Sequence, residues 1–127
     1  MTRTPLLRRL RQDTGGATAV EYAFVLPVFM LLLMGGLWVG LLSYAVSSLN
    51  FTVQSAARCM AVDANTCGSP TDTLTYAQGI YNGPAISPVF TASATGCGHT
   101  VSAQANFNII LVPGISTVPL TASACYP

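Results

Sequence analysis

The chain has 127 residues, one domain's worth, and only 7% of them are charged, against about 25% in an ordinary soluble domain. With 51% hydrophobic residues it is not a disordered chain, and five arginines, no lysine and a net charge of +1 leave no basic footprint for nucleic acid. From Thr73 to Pro127 there is no Asp, Glu, Lys or Arg, so the back half has almost nothing from which to build acid–base or nucleophilic catalysis, and no enzyme activity is expected.

Charge concentrates at the start. Arg3, Arg8, Arg9, Arg11, Asp13 and Glu21 fall within the first 21 positions, and only Arg58, Asp63 and Asp72 follow. Residues 23–42 read AFVLPVFMLLLMGGLWVGLL, a run without a single charge. Twenty helical residues at about 1.5 Å each span about 30 Å, the thickness of a bilayer's hydrocarbon core. A transmembrane helix is predicted. The arginines precede it, which places the N-terminus on the cytoplasmic side and the C-terminal part outside. Tyr22 at one end and Trp38 and Tyr44 at the other suit the two interfaces. The run is longer than the apolar core of a signal peptide, about 7–15 residues, and no small-x-small site closes it. A retained helix is therefore expected.

The residues just before the helix are Gly15-Gly16-Ala17-Thr18-Ala19-Val20-Glu21-Tyr22. A carboxylate at the mouth of a transmembrane helix needs a reason, because ionised groups are costly there. If the chain is cut after Gly16, Ala17 becomes a new N-terminus and Glu21 lies one helical turn along, where it complements the helix dipole and an ammonium group. The cut also removes four arginines and Asp13, leaving Arg58 against Glu21, Asp63 and Asp72. The positive block that holds the helix on the cytoplasmic side is then gone.

This arrangement resembles the class III signal of type IV pilins and pseudopilins. The Glu21-Tyr22 pair looks like the Flp/Tad branch, and residues 15–27 are similar to the opening of the TadE-like family of Tad pilus assembly proteins. Ala56-Ala57-Arg58-Cys59 and Ala122-Ser123-Ala124-Cys125-Tyr126-Pro127 look like that family's membrane-distal pattern. The resemblance implies a minor pseudopilin, processed after Gly16 by a prepilin peptidase, that helps assemble a Flp pilus serving adhesion. It implies other pilins, pseudopilins and the assembly platform as partners. Glu21 pairs with a neighbouring subunit's N-terminus, and residence is in the bacterial inner membrane with the head in the periplasm or the pilus. No cofactor is implied. An uncleaved single-pass anchor displaying a small binding head is the alternative.

Pro27 removes a hydrogen bond to the Ala23 carbonyl and predicts a kink. Gly36-x-x-x-Gly40 fits the small-residue pattern for close helix approach. Leu42, Val46, Leu49, Val53, Ala57 and Met60 then recur in steps of three and four, predicting an amphipathic continuation to about Ala64, before Gly68-Ser69-Pro70. A helix from Ala17 to there is about 70 Å long.

In the remainder, 68–87 is turn-rich, with a short helix around Leu74 to Tyr81. Val89 to Ala94 is a predicted strand. Residues 101–112 alternate, with Val101, Ala103, Ala105, Phe107, Ile109 and Leu111 on one face. Thr117 to Tyr126 alternates too, and Pro113-Gly114 turns the chain between these strands. The expected fold is α+β and membrane-anchored: a pilin-like long N-terminal transmembrane helix packed on a small antiparallel three-stranded sheet. Residues 1–16 form a basic leader, 17–42 the transmembrane helix, 43–67 its periplasmic continuation and 68–127 the head.

So small a head gains from covalent staples. Cys59, Cys67, Cys97 and Cys125 all lie outside the membrane run. Of three connectivities, Cys59–Cys67 with Cys97–Cys125 is favoured, though the spacing leaves the others open. Metal ligation by the cysteines and His99 is disfavoured, because Cys59-x7-Cys67 is wider than the usual gap of two to four residues and Cys97-Gly98-His99 is tighter. The absence of C-x-x-C argues against a thiol oxidoreductase. His99, Asp63 and Asp72 read as turn or helix-end residues, and the Asn50-Phe51-Thr52 sequon falls on the predicted helix.

Overall fold

A computed structural model describes residues 15–108 and 117–127. The arginine-rich start and the predicted Pro113-Gly114 turn, with Ile109 and Leu111, lie outside the described residues. Five elements follow in order: α1 (Gly15–Val62), α2 (Pro70–Ile80), β1 (Val89–Thr95), β2 (Gly98–Asn108) and β3 (Thr117–Tyr126). This is the α+β arrangement the patterning predicts. The chain divides after Val39 into two units.

The first unit holds the apolar part of α1. Every residue from Glu21 to Met34 is exposed. Among the described residues none covers it, although it is apolar on all sides. The helix continues across Pro27 without a break.

In the second unit a sheet of order β1-β2-β3 is antiparallel throughout. Register follows the alternation. Phe90 pairs with Ala103, which pairs with Ala122, and all three are buried. Val101, Ala105, Phe107 and Leu120 complete the inner face. Ser102, Gln104, Asn106, Thr121 and Ser123 stand on the other face, so period two decides the inside here as it does in any half-buried sheet.

The buried stripe of α1 is Ala45, Leu49, Thr52, Val53, Ala56 and Ala57. It keeps three residues of the predicted stripe and corrects the rest. Val46 is exposed, and Leu42 and Met60 are half-buried. The stripe is rotated toward its small residues, because alanines admit close approach of a partner. Thr52 is tolerated inside because its hydroxyl donates to the Ser48 carbonyl at 2.9 Å.

The short helix expected around Leu74 to Tyr81 begins earlier, at Pro70. Ser69 is extended and caps α2. Its Oγ accepts the Asp72 N–H at 3.2 Å and donates to Asp72 Oδ2 at 2.6 Å, with Pro70 in the first turn. Ser69-Pro70 therefore starts α2, seven residues after α1 has ended at Val62. Thr73 and Ala77 are the buried residues of α2, which packs against β1.

Two disulfides close the unit, Cys59–Cys67 with Cα atoms 5.7 Å apart and Cys97–Cys125 at 6.4 Å. At the β1–β2 turn Gly98 has φ +121°, and a Cβ there would run into the Tyr126 carbonyl. Glycine is thus what lets the end of β3 lie close enough for the second bond.

Candidate functional site

Gly16, Ala17, Glu21 and Tyr22 all lie on α1, whose first residue is Gly15. The Gly16–Ala17 bond is therefore inside the first helical turn, two residues earlier than the predicted start. A Cβ at Gly16 would meet nothing within 4 Å, so packing among the described residues does not require glycine there. Two glycines in this turn each disfavour helix by about 1 kcal/mol relative to alanine, which makes local unwinding cheap. Glu21 is exposed and makes no ion pair among the described residues.

Gly36 and Gly40 face open space, and Cβ atoms on either would meet nothing within 4 Å. Among the described residues nothing uses the close approach that they permit. Tyr44 behaves differently from a free interfacial aromatic, since its hydroxyl donates to the backbone carbonyl of Asn82.

The segments 56–59 and 122–127, far apart in sequence, meet in the second unit. Ala57 and Arg58 of α1 line a groove of about 310 Å³ together with Ala124, Cys125 and Tyr126 of β3. Sequence reasoning singled out both segments but had no signal that would bring them together. All four cysteines are bonded, which leaves no free thiol.

Below α1, Asp63 holds the loop to Cys67. Its Oδ2 accepts the Thr66 hydroxyl at 2.7 Å, and its Oδ1 accepts the amides of Thr66 at 3.2 Å and Asn65 at 3.0 Å. The Thr66 hydroxyl leads in holding this carboxyl below the usual carboxylate range. Burial, helped by the neighbouring Tyr44, raises the Tyr81 phenol.

Residues 16–58 match the family model described as TadE-like protein. The match takes in the glycine junction and α1 as far as Arg58, and the sheet lies beyond it. No curated protein and no solved structure matches the chain.

Proposed function

We propose that this chain, TadE-like through residues 16–58, is a minor pseudopilin of a Tad/Flp-type pilus. The family match supports a part in Tad pilus assembly. On the finer reading a prepilin peptidase cuts between Gly16 and Ala17, with the N-terminus cytoplasmic and the head periplasmic across a bacterial inner membrane. Its partners are then other pilins or pseudopilins and the assembly platform. It acts in assembly and surface attachment through helix packing, without catalysis or cofactor.

The observation that carries this reading is the uncovered helix. Residues 22–34 are exposed on every side and lie just past Gly-Gly and Glu21. Lipid solvates such a surface first, and other helices replace lipid in an assembly. Glu21 then has a use: its carboxylate pairs with the new ammonium group at Ala17 of a neighbouring subunit, neutralising both in a medium where neither is stable alone. Gly36 and Gly40, open in this chain, offer the close approach.

The test is the mature N-terminus, read as intact mass after co-expression with and without a Tad-type prepilin peptidase. A chain beginning at Ala17 only with the peptidase supports the proposal, and an unprocessed chain in both cases overturns it. One observation favours the uncleaved anchor instead: the Gly16–Ala17 bond lies in a helix, whereas peptidases take extended backbone. Substituting Gly16 separates the two, since only the processed form depends on it.

A further inference from the structure

We infer that the groove between α1 and the open edge of β3 takes an extended, acidic peptide segment of another protein, which adds to β3 as a further strand and sets a carboxylate against Arg58. This goes beyond the pilus reading and does not depend on cleavage at Gly16.

The edge is available. In the order β1-β2-β3 the two outer strands are β1 and β3, and α2 packs against β1. Among the described residues, the backbone of β3 makes no backbone hydrogen bond to anything but β2. Proteins usually blunt such an edge with charge or proline. From Thr117 to Tyr126 there is no charge, and Pro119 is the only proline in the strand. It lies toward the Asn108–Thr117 end, away from the groove, so Leu120 to Tyr126 keep an unbroken series of donors and acceptors. The pairing of Cys97 with Cys125 ties that end in place, which lowers the ordering cost of binding.

The groove supplies side-chain contacts beside that edge. Phe51 is 65% exposed, an unusual state for a phenylalanine on the head, and Tyr126 is 40% exposed. They line opposite walls, with Gln54 and Arg58 on the helix side. A strand laid between a helix and an edge strand, with main-chain bonds for affinity and alternate side chains for specificity, is a known recognition mode. A volume of about 310 Å³ is at the small end for ligand sites, which suits one or two side chains rather than a cofactor.

Charge selects the occupant. Arg58 is the only lysine or arginine among the described residues, is exposed, and makes no ion pair among them. Asp63 lines the neighbouring hollow, but its oxygens already accept three hydrogen bonds from the following loop. A guanidinium in that state is matched by a carboxylate, with which it makes two parallel hydrogen bonds.

The test uses the full chain, isotope-labelled in detergent micelles, and a blocked pentapeptide alternating threonine and valine and ending in aspartate. Amide shifts are expected at Leu120–Tyr126 and along Phe51–Arg58. Arg58→Gln should weaken this peptide about fivefold, the upper range for an exposed ion pair, and leave an asparagine-ended peptide unchanged. Phe51→Ala should weaken both, and N-methylation of alternate peptide nitrogens should abolish binding. Each of four results overturns the inference: no shifts at millimolar peptide, shifts confined elsewhere, equal loss of both peptides in Arg58→Gln, or the same shifts on raising protein concentration without peptide. The last would make the occupant a second copy. Arg58 is exposed, so an unchanged spectrum away from the groove confirms that the variant is folded.

Discussion

The hydroxyl of Tyr44 donates to the backbone carbonyl of Asn82 and so ties α1, two residues past its apolar run, to the chain leaving α2. Tyr81 beside it donates to the Pro84 carbonyl at 2.9 Å and sets its ring edge-on to Phe90, with centroids 6.3 Å apart. The two tyrosines thereby join helix, loop and sheet at one level of the head. Tyr44→Phe removes one neutral hydrogen bond at a half-exposed site and should cost about 1 kcal/mol in denaturant unfolding. A loss near zero would mean that water satisfies Asn82 equally well.

The rotated stripe of α1 makes a paired prediction. Leu49 is fully buried and Val46 is exposed, three residues apart on the same helix. Leu49→Ala should destabilise the head by about 2–5 kcal/mol, and Val46→Ala by less than about 1 kcal/mol. The reverse order in urea unfolding would restore the stripe expected from periodicity.

Gly98 combines a positive φ with a blocked Cβ position. Gly98→Ala should cost about 1–3 kcal/mol and slow formation of the Cys97–Cys125 bond, read as free thiol during oxidative refolding. A variant that oxidises and unfolds like the parent would show that the turn relaxes without strain.

The two disulfides close loops of different size, with sequence separations of 28 for Cys97–Cys125 and 8 for Cys59–Cys67. Loop-closure entropy gives roughly 3.6 and 2.5 kcal/mol respectively. Replacing Cys97 and Cys125 by serine should therefore lower stability more than replacing Cys59 and Cys67. Equal losses would point to native-state contacts rather than chain entropy.

Asp63 sets a pH dependence. Its carboxyl titrates below the ordinary value in the folded chain because Thr66 and Asn65 donate to the ionised form. The unfolded chain binds that proton more readily. The stability it contributes is therefore present above the ordinary carboxylate value, about 3.9, and is lost as pH falls through the lower folded value. Unfolding midpoints between pH 6 and 2 should fall for the parent and fall less for Asp63→Asn.

The strands and the apolar helix were legible in the order of residues alone. Alternation over Val101–Asn108 and Thr117–Tyr126 commits each side chain to a face, because a strand's period is two whatever it packs on. Twenty uncharged residues before Ser43 commit the helix, because no small head could bury them on all sides. Glycine at 16 and glutamate at 21 were likewise visible as a spacing, which is chemistry along one helix. Tertiary structure decided the rest. Helical periodicity says which residues share a face but not which face the rest of the fold will cover, and the fold buries Ala45, Thr52 and Ala56 and leaves Val46 exposed. That Arg58 and Tyr126 line one groove required the fold, since no local pattern brings together residues 68 positions apart in the chain.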